Sequence, residues 1–456
     1  MAVVTPTAER DDAIGQEAAP ARVLSVWDAS MITVGIVVGA GIFESPARVA
    51  AIAGSPSWMI AAWVLGGVLS LMGALSYAEL ATTYPSTGGD YAFLTRAYGR
   101  HVSFLFAWAR STVICTGSIA LLGYILGDYL TRLVDLGPYS SAIYAAIATL
   151  ALSGINIAGL KGSARMQNVL TAIEVGGVLL VAVAGFMAGP SPSTVAAATT
   201  DGGGAFGFAM VFVLLTYGGW NEAAYVSAEV RGGPRAIAYA LVMSIAMITI
   251  VYVTVVIALL YGLGFDGMKA SQAVGIDAMH KAFGAEGARL IGALVAVAAL
   301  TSMNSTMLVG ARSNYAAARD WPILGFMARW RDKDNVPFVG FVIQTVIALA
   351  LVAFGALEKD GFSTMVEFTS PVFWFFFMLS GIALFVLRIK DPGALRPFRV
   401  PLYPVVPAIF VATCAYLFYS SVTYARSQNA GYVALVVMAS GLAVWLFVRA
   451  RSSRPG

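Results

Sequence analysis

Long apolar stretches alternate with short polar segments along almost the whole chain. Each stretch is close to the roughly 20 residues that an α-helix needs to cross the hydrocarbon core of a bilayer. The pattern predicts an all-α polytopic membrane protein with about twelve transmembrane helices. The predicted spans lie near residues 27–53, 57–81, 102–131, 139–158, 166–188, 205–228, 235–262, 287–311, 338–357, 362–388, 404–424 and 431–449.

The composition supports a membrane protein of one domain. Hydrophobic residues make up 59% of the chain and charged residues 11%, with a mean hydropathy of +0.79. A soluble domain cannot bury that much apolar surface, so lipid is the solvent for most of the chain. We predict a single transmembrane domain over residues 25–450, between a disordered cytoplasmic tail at 1–24 and a short cytoplasmic tail at 451–456. The net charge of +4 gives no reason to expect a nucleic-acid partner.

The sequence contains no pattern typical of an enzyme. Cys115 and Cys414 fall inside predicted spans and form no CxxC pair, so neither a metal site nor a disulfide is predicted. His101 and His280 have no acid and nucleophile pattern nearby, and no phosphate-binding GxxxxGK[ST] motif is present. We therefore predict a protein that is not an enzyme and that uses neither a cofactor nor ATP.

The basic residues predict the orientation of the chain. With the N-terminus inside, twenty of the 28 lysines and arginines fall in cytoplasmic segments and seven in outside segments, while Arg110 lies within a span. Basic loops resist translocation, so this asymmetry predicts an inner-membrane protein with both termini in the cytoplasm.

Two predicted spans are interrupted by glycines at matching depths. Gly39 and Gly41 lie in the middle of the first span, and Gly218 and Gly219 lie at a similar depth in the sixth. An unwound turn exposes amides and carbonyls that have no helical partner, and matched breaks in two halves of a membrane protein are typical of a transporter's binding site. Small residues also let helices pack closely, which is the alternative reading of the first break.

Five segments, in this order, resemble the amino acid-polyamine-organocation superfamily and, within it, the bacterial relatives of the L-type amino acid transporters. They are IVVGAGIFESP at 36–46, SYAELATTYPSTGGDYAFLTRAYG at 76–99, YGGWNEAAYVSAEVRGGPRAI at 217–237, NSTMLVGARSNYAAARD at 304–320 and RPFRVPLYPVVPAIF at 396–410. The resemblance implies a LeuT-type fold of five plus five inverted helices with helices 1 and 6 discontinuous. The two repeats would span about 27–188 and 205–388, with two extra helices at about 404–449.

The resemblance also implies a substrate site at the two breaks. A carboxylate would bind the backbone N–H groups of Val38, Gly39, Ala40 and Gly41. The amino group would meet carbonyls around Leu215, Thr216 and Gly218, and Asn221 completes the predicted set. Family members often carry serine where this chain has Ala40, and many L-type relatives carry an aromatic gate where this chain has Leu215.

Ionisable residues inside predicted spans need a partner or a function, because each costs about 2.5 to 3.5 kcal/mol at a helix centre. Glu79 and Glu229 lie near cytoplasmic ends, where a structural role is expected. Glu174 stands where many relatives have a lysine, so the lysine mechanism does not transfer. Glu174 either pairs with Arg110 or takes up a proton itself.

Two further groups leave alternatives open. Glu222 either faces the cavity, where it would select a substrate with a second amine, or contacts a neighbouring helix. Ser302, Asn304, Ser305 and Thr306 gather hydroxyl and amide groups on the eighth span; they either approach a sodium ion or bond their own helix carbonyls.

These features predict a secondary amino acid transporter that works by alternating access, through proton-coupled symport or amino acid exchange. A polyamine or cationic amino acid transporter is the alternative, favoured by Glu222 and Glu174 and opposed by the carboxylate site. Proteins of a different class are also considered: a sensor, a subunit that keeps the fold but transports only with a partner, or a channel-like protein. The lack of a large soluble domain opposes a sensor, and helix breaks at the midplane oppose a simple pore. The predicted partners are an amino acid, the lipid bilayer and possible coupling protons, without an obligatory protein subunit.

Overall fold

A computed structural model describes residues 26–84, 89–158, 164–191, 202–222, 234–328, 338–358, 360–428 and 430–452. These residues form helices and connecting turns, and the helices are numbered here in chain order. They are α1 (Val26–Val37), α2 (Gly41–Ile52), α3 (Pro56–Thr83), α4 (Asp90–Tyr98), α5 (Arg100–Thr131), α6 (Ser140–Ile157), α7 (Ala164–Met187), α8 (Gly202–Thr216), α9 (Pro234–Ala270), α10 (Val274–Asp320), α11 (Phe338–Ala356), α12 (Gly361–Lys390), α13 (Val405–Gln428) and α14 (Ala430–Ser452).

Nine helices in the described part of the chain are long and apolar enough to cross a membrane. They coincide with nine of the predicted spans. The first predicted span is divided into α1 and α2, and the apolar parts of α7 and α8 are the shorter stretches Thr171–Met187 and Phe206–Thr216. The all-helical polytopic class is confirmed, and the count of twelve spans stays a prediction.

The helices pack into one bundle whose outer surface is apolar. α5 lies between α6 and α10, α7 packs against α9 and α10, and α12 packs along α13. Large apolar side chains remain exposed on outer faces, among them Ile250, Val346 and Val436. Exposed apolar side chains on this scale are expected where the helices face lipid.

Small residues allow the closest helix contacts. A Cβ built on Gly185 of α7 would lie 2.5 Å from the carbonyl oxygen of Ala258, and one built on Gly262 of α9 would lie 2.4 Å from that of Gly185. Larger residues at these two positions would push the helices apart, so the glycines set the distance between α7 and α9.

Two glycines bend long helices near their ends. Gly264 in α9 and Gly284 in α10 have φ angles of 73° and 68°, in the left-handed region that glycine adopts readily. Each bend separates a membrane-length helix from a short helical segment.

A buried carboxylate ties the end of α3 to α12. Arg388 donates two hydrogen bonds to Glu79, at 2.7 and 2.6 Å, and the backbone N–H of Val400 donates a third at 2.7 Å. A buried charge that is paired and hydrogen-bonded in this way is satisfied. The structural role predicted for Glu79 agrees with this geometry.

Candidate functional site

The first break leaves three backbone amides without a protein acceptor. α1 ends at Val37 and α2 begins at Gly41. Val38 N donates to Val34 O at 2.7 Å and Gly39 N donates to Val37 O at 2.8 Å. In the described part of the chain, no residue accepts a hydrogen bond from the N–H groups of Ala40, Gly41 or Ile42.

The free amides differ from the predicted ones, which were those of residues 38–41, at the first and at the last position. Val38 and Gly39 cannot offer their N–H groups because those groups close the last turn of α1. Ile42 joins Ala40 and Gly41 because the first N–H groups of a helix have no i−4 carbonyl. The sequence predicted the break but not the residue at which the helix restarts.

The second break exposes the carbonyl of Gly218. α8 ends at Thr216, and a turn with Gly219 at φ 105° leads to a 3₁₀ turn at Trp220–Glu222. Gly218 N donates to Leu215 O at 3.0 Å, so the Leu215 carbonyl is partly used. The Gly218 carbonyl accepts no hydrogen bond from a described residue.

Three hydroxyl contacts hold the broken ends in place. Tyr252 of α9, which is fully buried, donates to Val37 O at 2.8 Å and lies 3.4 Å from Thr216 O. Thr216 Oγ1 lies 2.6 Å from Ser45 Oγ of α2. The end of α1 is therefore fixed to α9, and the end of α8 is fixed to α2.

Both breaks line one cavity of about 290 Å³. Its wall is completed by α5, α10 and α12, which contribute four phenylalanines at positions 106, 373, 376 and 377. Val38 is buried outside this wall, as is Glu174. Of the residues predicted at the two breaks and for coupling, those that line the cavity are Gly39, Ala40, Gly41, Arg110, Leu215, Thr216, Gly218 and Asn221.

α10 presents hydroxyl groups to the cavity. Ser302, Ser305 and Thr306 line it, together with Thr301, which was not among the predicted residues. Asn304 points elsewhere, because its Oδ1 accepts a hydrogen bond from Asn156 at 2.7 Å. Three of the four residues singled out on this helix therefore reach the site.

Opposite charges line the end of the cavity away from α2. Arg110 is 7% exposed, lies in a π-helical turn of α5 and donates to Ser313 Oγ at 3.2 Å. Asp90 lies at the start of α4, and its Oδ1 accepts hydrogen bonds from Tyr77 at 2.6 Å and Ser380 at 2.8 Å. Asp90 was not predicted, because its position after a glycine pair in a polar segment resembles an ordinary helix start.

The predicted pair of Glu174 with Arg110 is wrong. Glu174 is 2% exposed, and neither of its carboxylate oxygens has a hydrogen-bond partner among the described residues. Glu174 lies on α7, which packs against α1, α9 and α10, whereas Arg110 lies on α5, which packs against α6, α10, α11 and α12.

The position of Glu174 along α7 is level with the first break. A Cβ built on Gly35 of α1 would meet Thr171, three residues before Glu174, and one built on Gly177, three residues after it, would lie 3.9 Å from Phe43 of α2. Residues three apart share a helix face. Glu174 therefore lies between the contacts that α7 makes before and after the break.

The predictions for Glu222 and Glu229 are not tested, because the side chain of Glu222 and all of Glu229 lie outside the described part of the chain.

On the side of α2, a network of contacts lies between this cavity and a second pocket. Arg48 bonds Glu44 at 3.0 Å and Asp360 at 2.7 Å, and Tyr129 donates to Phe43 O at 2.8 Å. The second pocket, of about 430 Å³, is lined by Arg48 and Asp360 and by the segment 131–142. The sequence reading missed Glu44, which a search for acids within predicted spans could have found.

Comparison with known proteins gives relatives that match over most of their length. The serine/threonine exchanger SteT of Bacillus subtilis (strain 168) is 27% identical over 92% of this chain and 95% of its own. The human cystine/glutamate transporter is 26% identical over 91% and 83%. The mouse large neutral amino acids transporter small subunit 2 is 27% identical over 84% and 73%.

A solved structure shows the same fold. The manganese transporter of Eremococcus coleocola superposes with a TM-score of 0.59 at 15% identity, covering 96% of this chain and 97% of that one. The family model described as amino acid permease matches residues 24–444. The chain therefore belongs to the amino acid permease family of the amino acid-polyamine-organocation superfamily, a family of membrane transporters and not of enzymes.

Proposed function

We propose that this protein is a secondary transporter that carries amino acids by alternating access, with the substrate held between the two helix breaks. One observation carries the proposal: the free amides of Ala40, Gly41 and Ile42 and the free carbonyl of Gly218 belong to breaks that line the same cavity. Amide donors suit a carboxylate and a carbonyl oxygen suits an ammonium group. A zwitterion therefore matches the site at both ends.

The helix dipoles favour the same orientation. The start of α2 carries partial positive charge and the end of α8 carries partial negative charge. A substrate carboxylate at Ala40–Ile42 and an ammonium group at Gly218 would each meet the complementary charge. This arrangement binds the part that all α-amino acids share, and the side chain would extend towards the cavity wall.

The cavity wall favours a neutral side chain. The four phenylalanines that line the cavity offer apolar contact. The carboxylate of Asp90 is the observation that supports the cationic alternative, but it already accepts two hydroxyl hydrogen bonds, and Arg110 places a positive charge in the same wall. A polyamine would also leave the three free amides without an anion.

We propose that Glu174 is the proton-coupling residue. An ionised carboxylate without a partner is costly in a buried site, so the neutral form is favoured there. Along α7, Glu174 lies level with the break that would receive the substrate's carboxylate, and two negative charges in the protein interior repel each other. Binding of the substrate would then favour protonation of Glu174.

We also propose that the protein functions in the inner membrane, with both termini in the cytoplasm, and without an obligatory protein subunit. The two repeats at about 27–188 and 205–388 would rock against each other around the substrate, with the helices at about 404–449 outside them. The basic-residue asymmetry supports this orientation.

Transport by purified protein in liposomes tests the function. Uptake of labelled neutral amino acids is measured into empty and amino acid-loaded vesicles, with and without an inward proton gradient. Uptake driven by the gradient into empty vesicles indicates symport, and uptake only into loaded vesicles indicates exchange.

Polyamines at excess concentration are the competitors in the same assay. We expect little inhibition from them. Strong inhibition together with uptake of labelled spermidine would replace the amino acid proposal with the cationic alternative. Absence of any amino acid uptake by folded protein would contradict transport without a partner subunit.

A further inference from the structure

Ser302 of α10 carries a hydroxyl that does not bond its own helix. Its Oγ is buried and has no hydrogen-bond partner in the described part of the chain. The neighbouring hydroxyls behave differently: Thr301 donates to Val297 O at 2.8 Å and Thr306 donates to Ser302 O at 2.9 Å. Serine and threonine hydroxyls within helices commonly donate to the carbonyl one turn earlier, and Ser302 does not.

The unused hydroxyl lies against the first break. A Cβ built on Gly39 would be 2.9 Å from Ser302 Oγ, and both residues line the cavity. The three free amides follow Gly39 directly along the chain. A donor from α10 and donors from the start of α2 therefore lie at the same place in the cavity wall.

The start of α2 lacks a side-chain donor of its own. Its N-cap residue is Ala40, and no side-chain capping bond is formed there. Serine at an N-cap would place a hydroxyl beside the first amides of the helix. In this chain the nearby hydroxyl comes from another helix.

We propose that the Ser302 hydroxyl donates a hydrogen bond to the carboxylate of the transported amino acid, together with the amides of Ala40, Gly41 and Ile42. This inference rests on the proposed function. It makes Ser302 a substrate-binding residue that replaces the side-chain donor absent at position 40. It also joins α10 to the broken helix through the substrate, so binding would draw the two elements together.

A structural role predicts a different result from a binding role. If Ser302 only filled space, its unpaired hydroxyl would be a cost in the empty protein, and alanine would be tolerated with and without substrate. If it binds the carboxylate, alanine would leave the empty protein intact and weaken only those ligands that carry a carboxylate.

The test compares wild type with Ser302→Ala, and Thr149→Val serves as the matched control. Thr149 is a fully buried hydroxyl on α6 that donates to Ala145 O and does not line the cavity. The probes are L-threonine, L-leucine and L-phenylalanine and their carboxamides, which keep the ammonium group and lack the carboxylate. The readouts are the ligand concentration that gives half-maximal thermal stabilisation and the concentration that half-inhibits uptake.

We expect Ser302→Ala to raise both concentrations about 10-fold or more for the amino acids, since a hydrogen bond to a charged group is lost. The values for the carboxamides, the melting temperature without ligand and all values for Thr149→Val should stay close to wild type. Equal weakening of acids and amides, or no weakening of either, overturns the assignment of Ser302. If wild-type protein neither binds nor transports the amino acids, the proposed function fails, and the assignment fails with it.

Discussion

Gly39 and Gly41 are both small residues at the first break, but the space around them differs. A Cβ on Gly39 would lie 2.9 Å from Ser302 Oγ, whereas one on Gly41 would lie 3.5 Å from Thr216 Cγ2, an ordinary contact. We expect Gly39→Ala to reduce uptake by on the order of 100-fold, because a shift of about 1 Å in a binding group has effects of that size. Gly41→Ala should reduce uptake much less.

Initial uptake rates at matched reconstitution levels check this prediction. Ser302→Ala in the Gly39→Ala background should restore the packing, which a recovery of the melting temperature would report. If Gly41→Ala proves the more damaging change, the close contact between Gly39 and α10 does not govern the site.

The coupling role proposed for Glu174 predicts how uptake depends on pH. If a proton is taken up with the substrate, the affinity for substrate rises as the pH falls through the titration range of the buried carboxyl and declines above that range. Glu174→Gln mimics the protonated form, so we expect its affinity to be nearly independent of pH. The decisive measurement is the half-saturating concentration between pH 5 and pH 9.

The matched control for Glu174→Gln is Glu286→Gln, which removes an exposed carboxylate paired with Arg289 at 2.6 Å. This control should retain the wild-type pH profile, because surface ion pairs contribute little. A wild-type profile in folded Glu174→Gln would rule out this residue as the coupling group.

At the residue scale, the sequence predicted which residues line the cavity better than it predicted their hydrogen bonds and ion pairs. Seven residues predicted at the two breaks line the cavity, because glycine pairs inside apolar spans are a strong local signal. The orphan amides were misplaced by one to two residues, since helix ends are not sharply encoded. The partner of Glu174 was wrong because a pairing across helices depends on which helices are neighbours, and spacing along the chain does not contain that information.

Among the elements, α2 carries the contacts that close one end of the cavity. Arg48 joins α2 to Asp360, the N-cap of α12, and also neutralises Glu44, whose side chain is fully buried. Replacing Arg48 removes the bond between α2 and Asp360 and leaves the buried Glu44 side chain without its partner, and breaking a buried pair by removing one member is destabilising for the closed arrangement. We therefore expect Arg48→Gln to favour movement of α2 away from α12.

A cysteine on α2 reports this movement. Ala47 is 4% exposed in the closed arrangement, so Ala47→Cys should react slowly with a membrane-impermeant thiol reagent, and about 10-fold faster with Arg48→Gln if closure weakens by roughly 1.4 kcal/mol. Arg289→Gln, which breaks an exposed pair, should leave the rate unchanged. Equal rates in all three proteins would mean that the Arg48 contacts do not hold α2 in place.

The elements themselves were largely predictable. Apolar stretches of membrane length identify nine helices directly. The sequence did not predict α4, because a short polar helix shows no periodic pattern of apolar residues. It did not predict the π-helical turn at Arg110–Ile114 either, because one added residue in a turn does not change the apolar pattern of a long helix. α4 places Asp90 in the cavity wall, so the negative charge of the site was missed, whereas Arg110 was among the predicted residues.

At the scale of the whole molecule, the cavity extends from the two helix breaks in one direction only, away from α2. It extends from the breaks to Asp90, at the start of α4, and α4 is linked to the end of α10 by a hydrogen bond from Tyr91 to Asp320 at 2.7 Å. No residue of α2 beyond Gly41 lines it. If the basic-residue asymmetry gives the correct orientation, the cavity lies towards the cytoplasm and the contacts of Arg48 close the outer side.

Labelling of single cysteines in intact spheroplasts tests that orientation. Asp135→Cys lies in the segment beside the second pocket and should react with an impermeant thiol reagent added outside. Phe326→Cys, exposed near the end of α10, should react only after the membrane is permeabilised. The native Cys414 is buried and the native Cys115 lines the cavity, so labelling is compared with the parent protein that carries no added cysteine. The opposite labelling pattern would invert the chain in the membrane, place the cavity on the outside and make the Arg48 contacts a cytoplasmic closure.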